Sequence, residues 1–170
     1  MDGEINFSEG LIQRVALLKG LEHSVLQRVY DERLIFNPGA EKMLKKLKVA
    51  GIKTMLISGG FTFFTDKLKD RLGLDYTFAN TLETVNGRLT GRLLGEVCGA
   101  KGKGWALNKI CNELGFRKEN LIAIGDGAND LSMFAEAGVS IAYHAKPIVQ
   151  ENATYAINHV GLDGVINIFQ

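Results

Sequence analysis

Apolar residues recur at helical spacing in the first part of the chain. Two such sets, over residues 11–18 and 25–29, predict two helices within residues 7–36, with a break at Gly20. A Lys-rich segment with its apolar residues on one face predicts a third helix over residues 40–50. The beginning of the chain is therefore predicted to be helical.

Short apolar runs bounded by glycine, asparagine or serine follow, and they predict strands. Asn86-Gly87 separates two of these runs, and this dipeptide is the strongest short signal for a hairpin. Strands are predicted over 53–57, 76–85, 88–94, 121–124, 139–143 and 153–157, and helices over 61–72, 105–114 and 131–137, while 162–169 fits either. This alternation favours an α/β domain with a parallel sheet over residues 37–170, beside a helical appendage over residues 1–36.

Composition restricts the function classes. Of the 170 residues, 46% are apolar and 23% charged, so the chain can bury a sizeable core. A net charge of +1 gives no general attraction to nucleic acid or to a membrane surface. The acidic start, residues 1–4, is unlike a secretory signal, and we expect a cytoplasmic protein. Cys98 and Cys111 lack metal-type spacing and are expected to be reduced thiols, with a disulfide as the alternative.

The loop Gly125-Asp126-Gly127-Ala128-Asn129-Asp130 is the richest candidate for chemistry. It follows the predicted strand 121–124, at the end where open α/β sheets bind ligands. A structural turn needs one Asx residue and a glycine, whereas this loop has three side-chain acceptors within five positions. Neighbouring carboxylates repel unless a cation joins them, and we expect the two to point together onto Mg²⁺.

Two further positions fit a phosphate site. Ser58 comes before two glycines at the expected end of a strand, where a hydroxyl and backbone N–H groups can hold an anion. Lys103 lies between glycines, in a loop expected just before a helix. Taken singly, each has an ordinary alternative: Ser58 as a helix cap and Lys103 as a solvated loop lysine.

Together these segments resemble the phosphoserine phosphatases of the haloacid dehalogenase superfamily. Residues 57–62 resemble that superfamily's second motif, Lys103 falls at its third-motif lysine, and residues 125–130 resemble its fourth motif. Residues 79–80, Gly91 and 141–147 are also similar to the family, and the resemblance covers nearly the whole chain. It implies a Rossmann-like parallel sheet over residues 37–170, with residues 1–36 as part of a small helical cap.

The resemblance also implies roles. Ser58, the N–H of Gly59, and Lys103 would hold phosphate oxygens, and Asp126 would bind Mg²⁺. Asn129 and Asp130 would orient the metal and Lys103. In the cap, Met1, Phe7 and Arg14 match substrate contacts, with the arginine on the substrate carboxylate. The implied reaction is hydrolysis of phosphoserine through an aspartyl-phosphate, the last step of serine biosynthesis.

The chain departs from the family in one respect. The family's nucleophile and general acid both lie in a D-x-D-x-T/V motif on the first strand, and these 170 residues contain no D-x-D sequence. We therefore expect that the first central strand is missing, between the strands near Ser58 and Gly125, and that the chain alone is inactive. A downstream start site or a split gene would explain this, with a complementing N-terminal segment or pairing of exposed strand edges between copies as the partner.

Three other functions stay open on the sequence. The chain could be a non-catalytic module that binds phosphate and metal, or an inactive remnant. It could also belong to another small phosphatase of the superfamily, although Phe7 and Arg14 favour an amino-acid substrate through the resemblance. His144 is expected to be a structural loop residue that pairs with a carbonyl.

Overall fold

The computed structural model describes residues 7–95, 97–98 and 100–169. The helices are α1 (Phe7–Ala16), α2 (Val25–Arg33), α3 (Ala40–Val49), α4 (Thr62–Leu72), α5 (Ala100–Leu114), α6 (Leu131–Phe134) and α7 (Pro147–Gln150). The strands are β1 (Met55–Phe61), β2 (Tyr76–Val85), β3 (Arg88–Leu94), β4 (Ile122–Gly125), β5 (Val139–Tyr143) and β6 (Tyr155–Ile157). Short 3₁₀ helices cover Lys118–Asn120, Ala128–Asp130 and Leu162–Phe169, so the last segment is helical. No helix in these ranges is long and apolar enough to cross a membrane.

These residues form two compact units. The first contains residues 7–35, 55–95 and 97–98, and the second contains residues 36–54 and 100–169. The first unit thus joins the N-terminal helices to the first strands, whereas the sequence analysis divides the chain after residue 36. The cap-and-core division remains a prediction.

The first unit is built on a mixed three-stranded sheet. β1 pairs with β2 in parallel, and β2 pairs with β3 antiparallel. The β2–β3 hairpin turns at Asn86 and Gly87, whose φ angles of 49° and 74° are those of the two-residue turn that matches strand twist. Both strand ranges and the turn are as predicted.

The second unit is built on a parallel sheet in the order β4-β5-β6. α3 and the C-terminal 3₁₀ helix contribute to its core, which contains Met43, Ile141, Tyr143, Ile157 and Val165. Ile141 at the centre of β5 is fully buried, as expected for a strand with partners on both sides. The predicted α/β class is confirmed.

The sequence predicts one sheet, whereas the described residues form two. β1 is an edge of the first sheet and β4 an edge of the second. These are the strands expected to flank the first central strand, and the expectation that this strand is missing from the chain remains a prediction.

Among the strand boundaries that differ from the prediction, the end of β1 bears on the candidate site. β1 continues through Ser58 to Phe61 and does not end at Ser58. Between the pairs Ile57–Phe78 and Phe61–Asn80, β1 advances four residues while β2 advances two. The extra residues form a bulge, which re-aims side chains without ending the strand. Ser58 is therefore presented by a bulge.

Candidate active site

The acidic loop leaves the end of β4 and separates its two carboxylates. Asp126 is exposed, whereas Asp130 is 2% exposed. Asp130 Oδ2 accepts hydrogen bonds from the backbone N–H groups of Asp126 and Gly127, both at 3.0 Å. Asp130 thus turns back into its own loop, and the assignment of Asp126 as the metal ligand with Asp130 in support remains a prediction.

Lys103 compensates the buried carboxylate. Its Nζ lies 2.6 Å from Asp130 Oδ1, and the side chains are 12% and 2% exposed. Both oxygens of Asp130 are thus engaged, one by an ammonium group and one by two amides. A fully hydrogen-bonded ion pair is the form in which a buried charge is tolerated.

Lys103 reaches this position from the first turn of α5. The sequence predicts a loop here and a helix from Trp105, but α5 begins at Ala100. Gly104 explains the difference: its N–H donates to Ser132 Oγ at 3.3 Å, and a Cβ there would lie 2.6 Å from the Ser132 carbonyl oxygen. Glycine lets α5 approach α6 closely, and the sequence analysis missed this role of Ser132.

Gly125 and Gly127 are needed in the loop because they lack a Cβ, and not because their dihedral angles are unusual. A Cβ on Gly125 would lie 2.5 Å from both Cβ and Cγ of Asp130. A Cβ on Gly127 would overlap Asn129 Oδ1, and the φ angle of Gly127 is −124°, which any residue can adopt. The glycines therefore make room for the side chains of Asn129 and Asp130 to fold over the loop.

The Ser58 bulge lies in the other compact unit. Gly60 N–H donates to Ser58 Oγ at 3.0 Å, which occupies a lone pair and leaves the hydroxyl hydrogen to donate elsewhere. Asn80, which is 1% exposed, donates through Nδ2 to the carbonyl oxygens of Gly59 and Gly60. The meeting of Ser58 and Gly59 with Lys103 and Asp126 in one pocket remains a prediction.

The sequence analysis gives Asn80 no function. One signal was available: asparagine is depleted in strands, yet Asn80 lies in the middle of β2, between Ala79 and Thr81.

The donor set suits a hard cation only in part. Asp126 supplies an exposed carboxylate and Asn129 an amide oxygen, which are ligands that Mg²⁺ accepts. Both oxygens of Asp130 are already used. Among the described residues, no three His, Cys, Asp or Glu side chains gather as a metal site. These residues therefore provide only part of the ligand set of a magnesium ion. The remaining ligands have to come from phosphate, water or other protein groups.

The cap residues are described unevenly. Met1 and the side chain of Phe7 lie outside the described residues. Arg14 is exposed on α1, and its Nε donates to the Gly10 carbonyl oxygen at 3.1 Å. Among the described residues the terminal guanidinium nitrogens have no partner, and they are of the type that can meet a carboxylate.

His144 has the structural role predicted for it. Its Nε2 lies 3.1 Å from the Val160 carbonyl oxygen, and its φ angle is 47°. Cys98 and Cys111 are both buried and are not joined by a disulfide, and burial raises the pKa of the Cys111 thiol.

Comparison with known proteins places this geometry in a family. The haloacid dehalogenase-like hydrolase family matches residues 9–135. A phosphoserine phosphatase from Polaromonas sp. is 50% identical over 173 residues, which cover 99% of this chain and 73% of the relative. The crystal structure of a probable phosphoserine phosphatase from Vibrio cholerae has a TM-score of 0.91 at 43% identity, covering 98% of this chain and 51% of that one. A substrate-bound phosphoserine phosphatase complex has a TM-score of 0.90 at 42% identity, covering 99% and 80%.

The match to the family spans most of the chain, including Ser58, Lys103 and the acidic loop. The relatives named above share its sequence from end to end at identities far higher than a common fold alone requires. The chain belongs to the haloacid dehalogenase-like hydrolase family.

Proposed function

We propose that this chain carries the phosphate-binding and metal-binding part of a phosphoserine phosphatase. The observation that supports it best is the buried contact of Lys103 Nζ with Asp130 Oδ1 at 2.6 Å, beside the exposed carboxylate of Asp126. This arrangement fixes the Lys103 side chain and leaves the Asp126 carboxylate exposed to a ligand. The identity to phosphoserine phosphatases over nearly the whole chain supports the substrate.

Lys103 and the Ser58 bulge hold the phosphate in this proposal. The ammonium group keeps one contact with Asp130 and has donors left for a phosphoryl oxygen. The hydroxyl of Ser58 and the N–H of Gly59 donate to other phosphoryl oxygens. Fixed donors around a phosphoryl group stabilise the charge that spreads over its oxygens during transfer.

Asp126 ligates Mg²⁺ in this proposal, and Asn129 and Asp130 keep the loop in shape around it. When bound, the cation neutralises phosphate charge. Asp130 holds the Asp126 and Gly127 amides and Lys103 at once, so it fixes the lysine relative to the metal-binding carboxylate. Such a supporting residue acts through its neighbours and not on the substrate.

Arg14 selects the substrate by its carboxylate, and Met1 and Phe7 shape the apolar side of the pocket. The Arg14 guanidinium is exposed, and within the described part of the chain Nε is its one bonded nitrogen. A planar guanidinium can donate two parallel hydrogen bonds to a carboxylate, which phosphoserine has and simple phosphate esters lack.

These 170 residues do not contain the motif that carries the nucleophile in the family. They contain no D-x-D sequence, and a covalent phosphoryl transfer needs a nucleophile beside the phosphate. We propose that activity needs a segment with a D-x-D-x-T/V motif, in the same polypeptide or in a second one. The same observation favours the second candidate, a module that binds phosphate and metal without turnover.

Complementation tests the proposal. The chain is fused to, or mixed with, the part of the Polaromonas phosphoserine phosphatase that it does not cover, and phosphate release from phosphoserine is measured with and without Mg²⁺. The proposal expects release that depends on Mg²⁺ and is lost in Asp126→Ala. Saturable phosphate binding without any release in a folded complex would favour the binding module.

A further inference from the structure

Asn80 is a buried polar side chain to which the proposed function gives no part. It lies on β2 with 1% of its surface exposed. Its Nδ2 donates to the carbonyl oxygens of Gly59 at 3.0 Å and Gly60 at 3.3 Å. Its Oδ1 accepts the backbone N–H of Cys98 at 2.6 Å. Among the described residues, the hydrogen bonds of this carboxamide are all with the backbone of its own compact unit.

The orientation of the carboxamide is determined by its partners. The Cys98 N–H can only donate, so Oδ1 has to face it. The Gly59 and Gly60 carbonyl oxygens can only accept, so Nδ2 has to face them. A flipped amide would lose all three bonds.

These contacts hold the bulge where β1 loses register with β2. Asn80 is the β2 partner of Phe61, at the point where regular pairing resumes after the extra residues of β1. A bulge leaves backbone groups without their usual partners, and buried ones cost stability unless another group satisfies them. Asn80 supplies the missing donors for two consecutive carbonyl groups.

The peptide between Gly59 and Gly60 is held from both edges. Its carbonyl oxygen accepts from Asn80 Nδ2, and its N–H donates to Ser58 Oγ. A peptide flanked by glycines rotates easily because neither neighbour has a Cβ. Its rotation would take the N–H away from Ser58 Oγ and would turn the Gly59 carbonyl oxygen toward the Ser58 hydroxyl in its place.

We propose that Asn80 is a positioning residue that keeps the Ser58–Gly60 bulge in its anion-binding form. The inference rests on the proposed function in one respect, that the Ser58 bulge binds phosphate. Asn80 acts by fixing the Gly59–Gly60 peptide, which in turn fixes the Ser58 hydroxyl. It touches neither phosphate nor metal.

The test is a titration of the folded chain with inorganic phosphate in the presence of Mg²⁺, followed by NMR at the amides of Ser58, Gly59 and Gly60. Asn80→Leu removes the donors and the acceptor and keeps a side chain branched at Cγ. Ser140→Ala is the matched control, because Ser140 is a buried polar residue of β5 that bonds to Thr154. We expect phosphate affinity to fall about tenfold or more in Asn80→Leu, the effect of losing hydrogen bonds worth roughly 1.4 kcal/mol, and to stay within about twofold in Ser140→Ala.

A double-mutant cycle separates positioning from general destabilisation. Ser58→Ala should weaken phosphate binding in the wild-type background and add little in Asn80→Leu, because the hydroxyl is already misplaced there. If Asn80→Leu does not fold, Asn80→Ser takes its place, since the smaller side chain leaves room for a water, and we expect the same direction of change.

Three results would overturn the inference. The first is an unchanged phosphate affinity in a folded Asn80 variant, and the second is an equal loss of phosphate affinity in Ser140→Ala. The third is a wild-type chain whose Gly59 amide shows no saturable chemical-shift change during the phosphate titration. Failure of the complemented enzyme to hydrolyse phosphoserine would leave this titration unaffected, so the two proposals fail separately.

Discussion

Asp130 Oδ1 accepts a hydrogen bond from the ammonium group of Lys103 at 2.6 Å, across 27 positions of sequence, and Asp130 is buried while Lys103 is 12% exposed. The other oxygen of the same carboxylate accepts two loop amides. One side chain thus connects the first turn of α5 to the loop after β4. Asp126, four residues away, is left exposed.

The two aspartates should therefore differ in their effect on stability. Asp130→Ala removes the partner of a buried lysine and two amide bonds, and we expect the free energy of unfolding to fall by about 3–5 kcal/mol. Asp126→Ala removes an exposed carboxylate and should cost less than about 0.5 kcal/mol. Urea unfolding of both variants checks this contrast, and equal losses would contradict it.

The Lys103–Asp130 pair should also be non-additive. Lys103→Met leaves the Asp130 carboxylate without its cation, and Asp130→Leu leaves the Lys103 ammonium group without its anion. The double variant contains no unpaired charge at this position. We expect the double variant to be more stable than the sum of the single losses predicts, again by urea unfolding. Strict additivity would mean that the ion pair is weaker than its geometry indicates.

Metal binding by the chain alone should be weak. Asp126 is the available carboxylate of the acidic loop, and Mg²⁺ prefers a full octahedron of oxygen ligands. Calorimetry should give a dissociation constant on the order of millimolar or weaker, with no heat in Asp126→Asn. Micromolar affinity that is lost in Asp126→Asn would show that other groups complete the site.

Glu83 should contribute to the acid sensitivity of the first unit. The Thr90 hydroxyl at 2.5 Å, and then Arg92 at 2.8 Å, hold the pKa of Glu83 below its ordinary value of 4.5. A carboxyl with a lowered pKa in the folded state stabilises the fold above its unfolded-state pKa, and this contribution is lost as pH falls through the folded-state pKa.

Unfolding measured at decreasing pH checks this contribution. Below about pH 4.5 the wild type should lose stability more steeply than Glu83→Gln. Thr90→Val removes the main hydrogen-bond donor to Glu83, so its loss of stability with falling pH should also be less steep than that of the wild type. Parallel curves for all three proteins would rule out the contribution.

Arg14 should discriminate between substrates in the complemented enzyme. Arg14→Ala should lower kcat/KM for phosphoserine by about ten- to a hundredfold, the range expected for a charge-assisted contact, and should change hydrolysis of an aryl phosphate much less. Arg14→Lys keeps the positive charge but loses the planar pair of donors, so its kcat/KM for phosphoserine should lie between those of the wild type and Arg14→Ala. An equal loss on both substrates would place Arg14 outside the substrate contact.

The sequence predicts best where structure is local. The Asn86-Gly87 hairpin and the strand 139–143 appear with the predicted bounds, because turn chemistry and apolar runs determine them. The start of α5 was missed because Gly102 and Gly104 are poor helix formers, and only the close approach to Ser132 explains a glycine there.

The contacts within the site depend on tertiary packing. No local pattern shows that Asp130 turns from the expected metal to Lys103, or that the strand near Ser58 bulges and continues. Asn80 was missed for the same reason, since its partners lie 18 to 21 positions away. Family resemblance implies that Asp130 orients Lys103, and the structure supplies the atoms and distances of that contact.

The most direct test of the account is phosphate release from phosphoserine by the purified 170-residue chain alone, with Asp126→Ala as control. The account predicts no release above that of Asp126→Ala, because the donors of Ser58 and Lys103 cannot replace a nucleophile. A contaminating phosphatase would act equally in both samples. Repeated turnover by the wild-type chain that disappears in Asp126→Ala would contradict the account, since the nucleophile would then lie within these residues.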